Sequence, residues 1–142
     1  MIVFDVNVLL AAHRVDHPHH EVVRPWLDDL MVREEPFAIA GIVWVSFIRV
    51  STNRRIFTVP TPLADAFAFS RALREQPHYV SLEPSDRHLE LFEELCRDTD
   101  SSGDLAVDAY LAAFALEHGS ALASLDRDFA RFPALTWIRP GD

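Results

Sequence analysis

The chain has 142 residues, 49% hydrophobic and 25% charged, with a formal net charge of −9. This is the composition of one globular domain that buries roughly two thirds of its unfolded surface, and it excludes a disordered chain or one that needs a disulfide or metal staple to fold. Every fixed positive charge is an arginine, so lysine-dependent P-loop, receiver-domain and Schiff-base chemistries are excluded, and the acidic balance opposes nucleic-acid binding unless cations or local basic patches offset it.

IVFD, residues 2–5, is a short apolar run that ends in a carboxylate and predicts a strand, and NVLLAAH after it predicts a helix. No run approaches the ~18 apolar residues of a membrane span, and MIVFDVN lacks the basic region of a signal peptide, so the expected location is the cytoplasm. In HPHHEVVRPWLDDLM, Val22, Val23, Trp26, Leu27 and Leu30 recur at helical spacing despite Pro25, which must bend the helix or sit in its first turn. His17, His19 and His20 have neither the i, i+4 face nor the cysteine partners of a zinc pattern, and read as structural or solvent-facing.

PFAIAG predicts a second strand. IVWVSFIRVST predicts a buried helix, with a strand as the alternative because of its β-branched content. NRRIFTVPTP is a loop punctuated by Pro60 and Pro62, and LADAFAFSRALRE is an amphipathic helix with Thr61 as its expected cap. YVSLEP predicts a third strand, and PSDRHLELFEELCRD a helix in which Cys96, spaced with Leu91 and Leu95, is a small core residue. DLAVDAYLAAFALEHG is a helix ended by Gly119, ALASLD a fourth strand, and TWIRP an edge strand stopped by Pro140. With no repeat, low-complexity tract or linker, residues 1–142 form a single domain.

Strands alternating with helices predict an α/β fold, a short, mainly parallel sheet covered on both faces by right-handed crossovers. A helix that precedes a strand in such a sheet begins at the edge where the strands end. Asp104 and Asp108, four apart in SGDLAVDA, should therefore lie at that edge, although like charges at this spacing repel. Capping accounts for Asp104 but not for Asp108, which lies a turn inside. Asp5 and Asp126 end strands one and four on the same edge, where open α/β sheets bind ligands, and Asp128 can reach it too.

Crowded carboxylates need a cation of high charge, and an all-oxygen donor set suits Mg²⁺ or Mn²⁺ rather than Zn²⁺. Such a cation can bind phosphate oxygens and activate water, which is phosphoester chemistry. Ser46 and Ser124 lack the flanking glycines of a nucleophile elbow, so a serine hydrolase is not indicated.

MIVFDVNVLL, WVSFIRVSTNRRIF and GDLAVDAYLAAFALEHGSALASLDRDFARFP together resemble PIN-domain ribonucleases of the VapC toxin type over nearly the full length. The resemblance implies a three-layer α/β/α PIN-like domain and a Mg²⁺-dependent endoribonuclease that leaves 5′-phosphate and 3′-hydroxyl ends. It also implies structured RNA such as tRNA or rRNA as substrate, a small VapB-like antitoxin as inhibitor, and a homodimer. Asp5, Asp108 and Asp126 match the first, third and fourth family acids and are the expected catalytic metal ligands. Asp104 and Asp128 look like accessory acids, and Asn7 matches the small polar residue two beyond the first acid. The second family acid, normally a glutamate, aligns with Ser46, and no acid lies between Pro36 and Pro60 to replace it. Compensation by Asp104 and Asp128 is the expected answer, with Ser46 and Ser124 as accessory positions.

Arg49, Arg54 and Arg55 form the densest positive cluster, and with Arg14, expected near the same edge, they are the candidate phosphate contacts. Two rivals stand beside this reading. A haloacid-dehalogenase-like phosphatase also opens on an acidic strand end, but it needs an aspartate where this chain has Asn7, and a lysine. A catalytically weak or inactive PIN-like module that binds RNA or a protein finds its support in Ser46.

Overall fold

A computed structural model describes the whole chain, Met1–Asp142. β1 (Ile2–Phe4) is followed by α1 (Val6–His13) and α2 (His20–Val32). β2 (Phe37–Ala38) leads into α3 (Gly41–Ser51) and α4 (Leu63–Arg74). α5 (His88–Thr99), α6 (Leu105–Glu117), β3 (Ala121–Ala123), a short 3-10 helix (Arg127–Arg131) and β4 (Trp137–Ile138) complete the chain. All strand pairs are parallel, in the order β2-β1-β3-β4.

The central strand needs helices on both sides because every one of its residues, Ile2, Val3 and Phe4, is buried. α1 packs against α2 and α3, and α3 against α4, while α5 and α6 pack against each other. Phe4 stacks on Phe37 at 5.2 Å between ring centres and tilts against Trp26 at 5.8 Å, tying β1 to β2 and α2. Pro25 lies inside α2 without ending it. At the far end of α6 the chain turns at Gly119, whose φ of 63° favours glycine. The Gly119 and Ser120 amides donate to the Leu116 and Ala115 carbonyls, a closure that satisfies the last turn and aims the chain into β3.

The segment IVWVSFIRVS is helical, so β-branched content did not override the apolar spacing, but it is not the buried helix expected: only Val43, Phe47 and Ser51 are buried, and Ile42 and Val45 face outward. The strand expected over 79–84 is reduced to one bridge between Tyr79 and Phe37, with Phe37 N donating to His78 O and Val80 N to Phe37 O. Its partner β2 has only two residues before the backbone turns into α3, too few to carry a longer ladder. Thr61 does not cap α4: Pro62 occupies that position without a side-chain bond, and the Thr61 hydroxyl lies between His13 and Arg14. β4 is the edge strand expected near the C-terminus, and Cys96 is partly buried against the core.

Candidate active site

Parallel strands that end together bring residues distant in sequence to one edge. Asp5 follows β1 and caps α1, its Oδ1 accepting from Val6 N at 2.7 Å. Its Oδ2 accepts from Ser124 Oγ at 2.7 Å and from Asn7 Nδ2 at 3.0 Å. Ser124 follows β3 and is fully buried. Its hydroxyl also accepts from Asn7 Nδ2 and from the Asp126 amide, both at 3.0 Å, while Asn7 Oδ1 accepts from the Leu125 amide at 3.0 Å. Trp137 on β4 donates to the Ser124 carbonyl at 3.0 Å. One serine and one asparagine thus fasten the ends of β1 and β3 together and fix the Asp5 carboxylate.

Asp126 opens the 3-10 helix, its Oδ1 accepting from the Asp128 amide at 2.9 Å. That turn points Asp128 toward Asp126, and Asp108 arrives from the first turn of α6. Asp108, Asp126 and Asp128 each offer an oxygen within 4.8 Å of the other two; Asp5 lies outside that group, near enough for its charge to act on Asp108. Burial raises the pKa of Asp5 above its ordinary value; the bonds from Ser124, Val6 and Asn7 oppose the rise and the charge of Asp126 adds to it. Asp108 is pushed up to about 6, chiefly by burial and then by the charges of Asp126, Asp5 and Asp128, with Arg131 opposing. Burial first and neighbouring carboxylates second raise Asp5 and Asp108, and a cation bound among these acids would offset that repulsion. The donors are all oxygens, with no histidine or cysteine in the group, so the residues present fit Mg²⁺ or Mn²⁺.

Asp104 stands apart. It occupies the N-cap position of α6 but makes no capping bond, and it is exposed and outside the carboxylate group. Its i, i+4 relation to Asp108 places it one turn back along the helix, beyond the converging oxygens. Ser46 is half-buried on α3.

Arg14 is not where the sequence suggested. α1 begins at the carboxylate edge, so its C-terminal end and Arg14 lie at the opposite one. There Arg14 is buried, forking Asp16 at 2.8 and 2.7 Å, donating to the Val59 carbonyl and the Thr61 hydroxyl, and resting on the Phe57 ring at 3.7 Å. It ties the 57–61 loop to α1 and has no face left for RNA. α3 runs the same way, since His13 at the end of α1 packs on Phe47 late in α3. Arg54 and Arg55 are exposed beyond that end, about 16 Å from the start of the helix at 1.5 Å per residue, and Arg49 is exposed in its last turn, about 12 Å along. Sequence reasoning overlooked Arg131, the last residue of the 3-10 helix; its signal was a position five residues after Asp126 in DRDFAR.

The PIN domain family model matches residues 2–135. Ribonuclease VapC25 of Mycobacterium tuberculosis is 56% identical over 140 residues, covering 99% of each chain. Ribonuclease VapC43 of the same organism is 44% identical over 142 residues, covering 100% of this chain and 97% of its own. Among solved structures, VapBC2 from Rickettsia felis bound to a promoter DNA fragment superposes with a TM-score of 0.71 at 17% identity, covering 99% of each chain. VapC20 of Mycobacterium tuberculosis, described as a sarcin-ricin loop cleaving toxin, gives 0.66 at 16% identity over 92% of this chain and 93% of its own. These structural likenesses establish the fold, and the sequence matches establish descent: the chain belongs to the PIN-domain family, among its VapC members.

Proposed function

We propose that the protein is a metal-dependent endoribonuclease, the toxin of a toxin–antitoxin pair, using Mg²⁺ or Mn²⁺ held by Asp5, Asp108 and Asp126, with Asp128 as the supporting acid. The observation that carries this reading is the convergence of Asp108 with Asp126 and Asp128, with Asp5 at the end of β1 near enough for its charge to act on Asp108, in a chain more than half identical to a protein named as a ribonuclease. The cation supplies a Lewis acid for a phosphate oxygen and lowers the pKa of water.

The chain's own residues do the rest. Asp5 is held by Ser124 and Asn7 in one orientation, so no reorganisation of that carboxylate is needed as substrate arrives. Asp108, pushed up to about 6 by burial and by its acidic neighbours in the metal-free site, is the carboxylate whose charge a bound cation would most relieve. Asp128 supplies the anionic carboxylate that position 46, a serine, does not. Because water is the nucleophile, the RNA 2′-hydroxyl is not required, and the products carry 5′-phosphate and 3′-hydroxyl ends. The substrate is a structured RNA, tRNA or rRNA, and the inhibitor is a small VapB-like antitoxin, as in the VapBC complexes among its structural neighbours. The functional unit is a cytoplasmic homodimer.

The test is incubation of purified protein with total cellular RNA in Mg²⁺, Mn²⁺ or chelator, followed by mapping of new 5′ ends. Asp5→Asn, Asp108→Asn and Asp126→Asn should each abolish cleavage. Undiminished cleavage in chelator, or by all three variants, would sink the mechanism.

A further inference from the structure

An acidic metal site repels the polyanion it is meant to cut, so something cationic must receive the RNA strand beside it. Most of the arginines are unsuited by position or already paired. Arg14 is buried on Asp16, and Arg49, Arg54 and Arg55 lie at the other end of α3. Arg24, Arg33, Arg97 and Arg139 are paired with Asp28, Asp29, Glu93 and Asp142.

Arg127 and Arg131 both lie on the 3-10 helix beside the carboxylates and neither is ion-paired, but only Arg131 has its guanidinium braced by the protein. It closes the 3-10 helix that Asp126 opens, so its backbone is fixed to the same turn as two of the carboxylates. Its Nε donates to the Asp128 carbonyl and its Nη1 to the Ser101 hydroxyl, each at 3.2 Å. Ser101 is buried and hydrogen-bonded to Thr99 at 2.6 Å, so the guanidinium is braced from the turn that leads into α6. Nη2 has no protein partner, and no carboxylate forms an ion pair with this arginine. The charge nonetheless reaches the site, since it is the one that opposes the rise at Asp108. A guanidinium braced on the Asp128 carbonyl and the Ser101 hydroxyl, close enough to act on Asp108, with no carboxylate partner and one nitrogen free, is prepared for an anion that arrives with the substrate.

We propose that Arg131 binds a backbone phosphate of the RNA next to the scissile bond and so holds the strand against the carboxylate edge. This rests on reading the site as a ribonuclease, and the experiment separates the two. Binding of a labelled, single-stranded, mixed-sequence oligoribonucleotide is measured in Mg²⁺ on an Asp5→Asn background across a salt series, with Arg131→Gln, Arg131→Ala and Arg131→Lys added in turn. Loss of one charge-assisted phosphate contact should weaken binding about ten- to a hundredfold for the Gln and Ala variants. It should also lower the slope of log K against log salt by about 0.7, and Arg131→Lys should restore the slope. In the otherwise wild-type protein, Arg131→Gln should bind Mn²⁺ at least as tightly in calorimetry, because all four carboxylates remain.

Unchanged affinity and slope in the Gln and Ala variants would overturn the proposal. So would weakened Mn²⁺ binding with an unchanged slope, the result expected if Arg131 only braces the turn before α6. The function reading is judged separately, by whether the wild-type protein cleaves the same oligoribonucleotide in Mg²⁺ or Mn²⁺.

Discussion

Replacing Asp108 with asparagine should make the metal-free protein more stable, and the size of the gain follows from the site. The Asp108 pKa is moved from 3.8 to about 6 by burial and by the charges of Asp126, Asp5 and Asp128. At 1.36 kcal/mol per pH unit this is about 3 kcal/mol of preference for the neutral acid, and solvent screening of the partly exposed side chain reduces it to about 1–2 kcal/mol. The sign is set by linkage. The folded state binds the proton more tightly than the unfolded one, so ionisation costs stability, with the cost growing as pH rises from 3.8 to about 6 and complete above that. An asparagine side chain, which does not ionise, carries none of this cost. Asp108→Asn should therefore melt about 3–6 °C higher than wild type at pH 7.5 in chelator, and the gap should close as pH falls toward 4.

Divalent cation should reverse the order. A cation that binds only the folded state stabilises by RT ln(1 + [L]/Kd), about 2.7 kcal/mol at a hundredfold excess over Kd, and the variant should gain less of it. Thermal melts at matched ionic strength, at several pH values and with and without Mg²⁺ or Mn²⁺, give all of these differences. A variant less stable than wild type at every pH, with an undiminished metal response, would refute the reasoning and return Asp108 to a structural role in α6.

Three other perturbations report on separate parts of the site. Ser124→Ala removes the hydroxyl shared by Asp5, Asn7 and the Asp126 amide, and should cost about 1–3 kcal/mol in chemical denaturation. By deleting a bond that holds the Asp5 pKa down, it should also shift the onset of Mn²⁺ binding to higher pH; an unchanged onset would mean that Ser124 does not govern Asp5. Ser46→Glu should tighten Mg²⁺ binding in calorimetry by adding an anionic oxygen at the family's second acid position, and an unchanged affinity would place residue 46 away from the metal. Arg54→Ala combined with Arg55→Ala should weaken binding of a long structured RNA and lower its salt slope, while leaving a short oligonucleotide nearly unaffected, because these residues lie about 16 Å along α3 from its carboxylate end. Equal losses for both RNAs would contradict that placement.

The sequence alone determined that Asp5 and Asp126 would meet. Each closes an apolar run too short and too buried to be anything but a strand in a parallel sheet, and parallel strands end at one edge. Asp108 followed for the same reason, since a helix feeding the next strand starts where the strands finish. What the sequence left open were matters of less than one helical turn, or of direction. Asp104 and Asp128 looked equivalent as accessory acids, yet the 3-10 turn brings Asp128 to the group while α6 leaves Asp104 exposed a turn behind. Arg14 read as a free cation, and only the folding of the 57–61 loop back onto α1 buried it against Asp16. The third strand had strand-like residues but depended on a partner, and a two-residue β2 gave it a single bridge. Residue type and spacing specify which backbone forms locally and which edge it reaches; whether a side chain at that edge is exposed, braced or paired depends on segments up to 119 residues away, as the bond between Ser124 and Asp5 shows.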